Sequence, residues 1–146
     1  MNHIHIRNMV ASDVDDIVTL SGELGYITTP TLVQQRMCQL LARDDTFAAV
    51  AIDRENRPIG FVHATAYHLF TSPVFSEIMA LVVSERHRRQ GIGQALVTAA
   101  ETWAQSQGHT HLRLRSGIHR AEEAHVFYKQ IGYDASRTSV LFRKEF

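Results

Sequence analysis

The sequence feature that most constrains the fold is an apolar run that passes through a basic loop into a helix. Residues 78–83 are all apolar, residues 86–89 are all basic, and Gly91 and Gly93 follow directly. From residue 91 to residue 107, apolar side chains recur at helical spacing, which predicts an amphipathic helix. A buried strand that leads into such a helix is typical of a β-α-β crossover in an α/β sheet.

The start of this predicted helix is suited to bind a phosphate-containing anion. Amides in the first turn lack partners within the helix, and the helix dipole makes that end positive. The two glycines carry no side chain that would hold an anion away, and Arg88 and Arg89 add positive charge. The loop lacks the Gly-Lys-Ser/Thr ending of a P-loop, and Leu96 stands where a Rossmann fingerprint needs a small residue. We therefore predict a pyrophosphate site of another class.

The rest of the pattern predicts a single domain, residues 1–146, of mixed α/β class with a mostly antiparallel sheet. The predicted order is β-α-α-β-β-β-α-β-α-β. Strands are predicted at 3–9, 46–52, 59–67, 75–83, 110–115 and 138–142, and helices at 12–24, 30–41, 91–107 and 120–131. Because strand 75–83 ends in six apolar residues, we predict that it is central and covered on both faces.

Composition and charge argue against several classes of protein. Lys plus Arg equals Asp plus Glu at 15 each, so no net charge favours nucleic acid or an anionic membrane. No apolar run approaches the roughly 20 residues of a membrane-spanning helix. The N-terminal residues lack a secretory pattern and Cys38 is the single cysteine, so we expect a cytoplasmic protein. The nine histidines are scattered without a Cys or carboxylate cluster, so no metal is expected.

Two motifs carry a family resemblance. Arg88, Gly91 and Gly93 form the pattern Arg-x-x-Gly-x-Gly after the apolar strand, and residues 124–133 read Ala-His-Val-Phe-Tyr-Lys-Gln-Ile-Gly-Tyr. In this order they resemble the acyl-CoA loop and the A-x-x-F-Y-x-x-x-G-F/Y signature of the GNAT family of N-acetyltransferases. The order of elements from near residue 3 to the end resembles the same family. The resemblance implies the GNAT fold, with acetyl-CoA as cosubstrate and a primary amine as acceptor.

The resemblance also implies which residues bind coenzyme A. The backbone of Leu81, Val82 and Val83 would pair with the pantetheine arm. The residues that would hold the pyrophosphate are Arg88, Arg89, Gln90, Gly91, Ile92, Gly93, Gln94 and Ala95. Many family members have an asparagine at the position of Ala121, so this contact is missing here or comes from another group such as Ser116.

The expected reaction needs a base and an acid, because only a neutral amine attacks a thioester and the leaving thiolate must be protonated. Tyr128 matches the usual acid of the family, although its place on a helical stripe also fits a core tyrosine. Glu77 is the candidate base, acting directly or through water. It is predicted to alternate onto the face of Met79, Leu81 and Val83, and the alternative is a glutamate that faces solvent.

Three residues are candidates to line the acceptor site: Tyr26 after the first helix, and His63 and His68 on and just after the third predicted strand. We predict a small-molecule amine as acceptor, with transfer by direct attack in a ternary complex. The alternatives are a protein Lys or N-terminal acetyltransferase and a non-catalytic acyl-CoA-binding module. The family resemblance also implies a homodimer, to which the apolar residues 140–142 could contribute.

Overall fold

The computed structural model describes residues 4–117 and 121–146, without the side chains of residues 121 and 122. The chain forms two compact units, of which the first ends at Leu114 and the second runs from Arg115 to Phe146. His3 and Arg120, the first residues of a predicted strand and a predicted helix, lie outside the described residues.

The first unit is a five-stranded sheet with three helices. The strands are β1 (His5–Asn8), β2 (Thr46–Ile52), β3 (Pro58–Leu69), β4 (Ser72–Val83) and β5 (Leu112–Leu114), and the helices are α1 (Val14–Glu23), α2 (Pro30–Leu41) and α3 (Ile92–Ser106). The strands lie side by side in the order of the sequence, with β1 to β4 antiparallel and β5 parallel to β4. The predicted mixed sheet with a β-α-β crossover is confirmed. No helix of the described residues is long and apolar enough to cross a bilayer.

The two faces of the sheet are covered by different helices. On one face, here called the α1 face, Val50, Phe61 and Val82 pack in one cluster with apolar side chains of α1 and α2. On the other face, here called the α3 face, the ring of Phe47 stacks on that of Trp103 with centroids 5.6 Å apart. Each of the buried side chains of Val50, Phe61 and Val82 contributes about 1.5–3 kcal/mol to folding.

Gly60 of β3 permits the close approach of α3 to the sheet. A Cβ atom at this position would lie 2.9 Å from the carbonyl oxygen of Val82, 3.2 Å from Cδ1 of Leu96 and 3.4 Å from Cγ2 of Ile92. Because glycine has no side chain to fill this space, the first turns of α3 can pack against β3 and β4. This contact fixes where the N-terminal end of α3 lies relative to the end of β4.

The second unit contains the predicted fourth helix in a shorter form and lacks the predicted last strand. Ala121–His125 is a π-helical turn, and α4 follows at Val126–Gln130. The prediction of a strand at 138–142 is wrong, since residues 134–146 have no regular secondary structure. The side chains of Val140, Leu141 and Phe142 are 75%, 82% and 91% exposed. A strand is stable only in a hydrogen-bonded ladder, and no described strand pairs with this segment.

Candidate active site

The predicted anion-binding loop joins β4 to α3 and ends at a left-handed glycine. After β4 the chain makes a single 3₁₀ turn at Glu85–His87. Gly91 then caps α3 with φ at 80°, a conformation that L side chains rarely adopt. Arg88, Arg89, Gln90 and Gln94 are exposed around it. The loop therefore presents cationic and polar groups beside the positive end of a 15-residue helix.

The main chain of the first turn of α3 supplies donors for an anion. The first helical hydrogen bond runs from the amide of Ala95 to the carbonyl oxygen of Gly91, at 3.0 Å. The amides of Ile92, Gly93 and Gln94 therefore have no acceptor within the helix. The side chain of Ile92 is buried, so this residue can offer only its amide to a ligand. These three amides point to phosphate binding at this end of α3.

The edge of β4 that follows Ile78 is open on the side of β5. The two strands pair at three positions only, the last of which joins Ile78 to Leu114. Beyond it, β4 has no partner on this side among the described strands. The peptide groups of residues 79–83 that point away from β3 can therefore pair with an extended ligand. At 3.3 Å per residue this edge is about 13 Å long. Leu81, Val82 and Val83, the residues predicted to pair with pantetheine, lie along it.

A β-bulge at Met79 interrupts the alternation of β4. Ala64 lies opposite Ile78 and His63 lies opposite Ala80, so Met79 has no residue opposite it on β3. An extra residue in one strand shifts all later side chains to the other face of the sheet. Met79 is 48% exposed, so the prediction that this strand is covered on both faces is wrong at this position.

The bulge changes the face on which Glu77 lies. Since residues opposite each other share a face, Glu77 lies on the α1 face together with Ala80 and Val82. The prediction that Glu77 shares a face with Leu81 and Val83 is wrong, because strict alternation does not allow for the extra residue. Glu77 thus lies on the α1 face, which α1 and α2 cover at the level of Phe61 and Val82.

Two side chains that the sequence analysis did not single out hold the Glu77 carboxylate. Oε1 accepts a hydrogen bond from Nε of Arg113 at 2.7 Å, and Oε2 accepts one from the Tyr67 hydroxyl at 3.1 Å. Glu77 is 4% exposed, which excludes the alternative of a solvent-facing glutamate. The guanidinium of Arg113 also lies over the Phe75 ring, 4.4 Å from its centroid. The sequence contains a signal for Tyr67: it lies four residues after His63 in the same strand. This even spacing places the two side chains on one face of the sheet.

His63 lies beside this group, directly opposite Ala80. The ring atom Nε2 is buried and has no hydrogen-bond partner among the described residues. Burial lowers the pKa of His63 below its usual value. The imidazole is therefore neutral at neutral pH and can accept a proton or a hydrogen bond.

The other two acceptor candidates, His68 and Tyr26, have exposed side chains, unlike Nε2 of His63. His68 is exposed and lies five positions further along β3, about 17 Å away at strand spacing. His68 affects another histidine: the pKa of His109 is lowered mainly by burial and secondly by the charge of His68. Tyr26 lies in the loop between α1 and α2 with an exposed side chain, and its amide donates to the carbonyl oxygen of Ser21 at 3.1 Å.

Tyr128 and Ser116 belong to the second unit. The Tyr128 ring lies in α4 with its centroid 5.2 Å from that of Phe127 and 6.5 Å from that of Tyr133. Oγ of Ser116 is buried without a hydrogen-bond partner among the described residues. Their roles as acid and as cofactor contact stay predictions, and the side chain of Ala121 lies outside the described residues.

A comparison with protein families identifies the class of enzyme. Residues 14–133 match the model of the acetyltransferase (GNAT) family. Because this match covers most of the chain, the protein belongs to the acetyltransferase (GNAT) family. It is an acyl-CoA-dependent N-acetyltransferase, as the two sequence motifs predicted. No curated protein matches the sequence.

Solved structures of several N-acetyltransferases are similar to this fold. The aminoglycoside 6'-N-acetyltransferase AAC(6')-Ih from Acinetobacter baumannii is 19% identical, with a TM-score of 0.85 and 99% of each chain covered. AAC(6')-Iy in complex with a CoA-containing bisubstrate analogue is 17% identical, with a TM-score of 0.87 over 99% of this chain and 100% of that one. Glucosamine-6-phosphate N-acetyltransferase from Arabidopsis thaliana is 21% identical, with a TM-score of 0.81 and 99% of each chain covered. This likeness confirms the predicted GNAT fold.

Proposed function

We propose that this enzyme transfers an acetyl group from acetyl-CoA to the primary amine of a small molecule, by direct attack in a ternary complex. The observation that carries the proposal is the open edge of β4. It begins at the helix N-terminus capped by Gly91 and ends at the bulge at Met79, beside Glu77 and His63. The anion site, the open edge of β4 and the buried polar groups of β3 and β4 thus follow one another in this order.

The cofactor-binding part of the proposal uses main-chain groups for most contacts. The amides of residues 92–94 bind the pyrophosphate, and Arg88 and Arg89 neutralise its charge. Nε of Arg88 already donates to the carbonyl oxygen of Val83 at 3.3 Å, which ties this part of the loop to the end of β4. The pantetheine arm then runs along Leu81–Val83, and the thioester lies near the bulge. Ser116 supplies a further contact to the cofactor.

The chemical part of the proposal needs two proton transfers. The amine loses a proton to a base on the α1 face, for which Glu77 is the sequence-based candidate, directly or through water. Direct transfer to Glu77 would remove the negative charge that pairs with Arg113. Tyr128 gives a proton to the leaving thiolate of coenzyme A.

A small-molecule acceptor is favoured over a protein by the names of the structural neighbours. Two of them are enzymes for aminoglycosides and one is an enzyme for glucosamine 6-phosphate. We propose that Tyr26, His63 and His68 contribute to the acceptor site. A protein Lys or N-terminal acetyltransferase and a non-catalytic acyl-CoA-binding module are the alternatives.

The acceptor class is tested by release of free coenzyme A from acetyl-CoA in the presence of different amines. We expect the purified enzyme to release thiol above the hydrolysis background with an aminoglycoside or an amino sugar phosphate. Lysine-containing peptides and peptides with a free N-terminus are the matched set of protein-type acceptors. Release with peptides alone would identify a protein acetyltransferase. Stabilisation by acetyl-CoA without release for any amine would favour the binding module.

We also propose a homodimer in which the exposed apolar segment 140–142 takes part. Wild-type protein is then expected to have the mass of two chains by light scattering. Phe142→Asp should give the mass of one chain, because it places a charge in the contact. Phe70→Asp, which changes an equally exposed phenylalanine in the β3–β4 turn, should leave the dimer intact. A single-chain mass for the wild type would refute the proposal.

We propose that both compact units form one acetyltransferase domain, since the family match from residue 14 to residue 133 runs through both. We propose a cytoplasmic location, since the single cysteine, Cys38, is unpaired.

A further inference from the structure

We propose that His63, rather than Glu77, accepts the proton of the attacking amine, and that Glu77 serves as the ion-pair partner of Arg113. The inference rests on the proposed acetyl transfer and assigns the base within that same site. It is carried by the place of His63 in the sheet, by the buried, unpaired Nε2, and by the two hydrogen bonds that already occupy Glu77.

The position of His63 places it beside the reacting end of the open edge. His63 lies directly opposite Ala80, so the two Cα atoms are about 5 Å apart. Ala80 follows Met79, the bulge residue at which the open edge ends. A thioester at that end therefore lies one strand away from His63, and the imidazole lies on the α1 face.

The environment of His63 suits a neutral base. Burial lowers the pKa of His63, and a neutral imidazole with its proton on Nδ1 has a lone pair on Nε2. Among the described residues, the ionisable side chains near it on the α1 face include Glu77 with its partners Tyr67 and Arg113. The His111 ring stacks on Phe75 of the same face, with centroids 4.8 Å apart. The residues of the apolar cluster that come from α1 and α2 are Ile17, Leu20, Val33 and Met37. Nε2 is thus a buried acceptor on this face that holds no donor among the described residues.

The bonding of Glu77 argues for a structural role. Its charge is neutralised by Arg113, whose guanidinium is itself held over the Phe75 ring. Its second oxygen accepts from Tyr67. If Glu77 took the proton, it would lose the negative charge that pairs with Arg113, whereas Nε2 of His63 has no hydrogen-bond partner among the described residues.

The N–H bond of the ammonium breaks, its proton moves to Nε2 of His63, and the nitrogen keeps the electron pair. That pair attacks the thioester carbonyl carbon, a C–N bond forms, and the C–S bond breaks with its electrons on sulfur. The thiolate takes the hydroxyl proton of Tyr128, and the phenolate regains a proton from the acylated nitrogen. The imidazolium returns its proton to water, so the net products are an amide, free coenzyme A and one proton.

The test compares His63→Gln, Glu77→Gln and the exposed-histidine control His5→Gln by kcat/KM between pH 5 and pH 9. In the wild type we expect activity to fall toward acid pH, because protonation of His63 removes the base. Burial lowers the pKa of His63, so this fall should lie on the acid side of a free imidazole. His63→Gln should lose about 100-fold or more at neutral pH and lose this dependence. Glu77→Gln and His5→Gln should keep it. Acetyl-CoA should stabilise all four proteins equally against heat.

A second readout separates a base from a structural residue. With an acceptor amine of low pKa, already neutral at the assay pH, His63→Gln should regain most of the lost rate, since no proton has to be removed. A His63→Gln enzyme with wild-type activity, or loss of the acid limb in Glu77→Gln alone, would overturn the proposal. If His63→Gln does not fold, a wild-type profile that does not fall toward pH 5 would overturn it as well. Wild-type protein that acetylates no amine would instead refute the proposed function itself.

Discussion

Gly91→Glu will abolish the stabilisation of the protein by acetyl-CoA. At a ligand concentration of about 100 times the dissociation constant, the wild type should gain roughly 2.7 kcal/mol, or a Tm rise of about 5–10 °C. The variant should gain none, because its carboxylate lies beside the amides of residues 92–94 and repels the pyrophosphate. The measurement is thermal unfolding with and without acetyl-CoA.

The matched control for this variant is Gly108→Glu at the other end of the same helix. Gly108 follows α3 with φ at 75°, close to the 80° of Gly91, and a Cβ there meets nothing within 4 Å. Both variants carry the same new charge and the same left-handed strain, about 1–2 kcal/mol each, so each should unfold at a lower temperature without ligand. The acetyl-CoA shift should survive in Gly108→Glu. An undiminished shift in Gly91→Glu would remove this loop from the cofactor site.

Tyr128→Phe will lower turnover by about 10²–10⁴-fold while the enzyme still binds acetyl-CoA. The change removes one hydroxyl and keeps the ring that packs near Phe127 and Tyr133. If the hydroxyl protonates the leaving thiolate, its loss acts on kcat and leaves binding of the cofactor nearly unchanged. The measurements are steady-state release of coenzyme A with an active amine and the acetyl-CoA-dependent Tm rise.

Tyr133→Phe is the control for Tyr128→Phe, since it removes the same atom from a ring in the same unit. Its turnover should stay within about 2-fold of the wild type, as expected for a position outside the proton transfers. Wild-type turnover in Tyr128→Phe would support the alternative that Tyr128 is only a packing residue. A parallel loss of the acetyl-CoA shift would instead point to a structural effect of the substitution.

The sequence by itself determined the class of the enzyme and most of its elements. The strand, basic loop and helix between residues 78 and 107 depend on local signals: an apolar run, a left-handed glycine and helical spacing. Such signals depend on residues close together in the chain, so they are readable without tertiary contacts. For the same reason, residues 46–52 are a strand with the predicted bounds.

Only the tertiary structure decided the surroundings of the candidate base. The bulge at Met79 arises from the register between β3 and β4, and it moves Glu77 to the α1 face. Arg113 reaches Glu77 because β5 pairs with β4 after a long crossover. The strand predicted at 138–142 has the right pattern but no partner strand among the described residues. In each case the outcome depends on pairing between segments far apart in the sequence, which a local pattern does not encode.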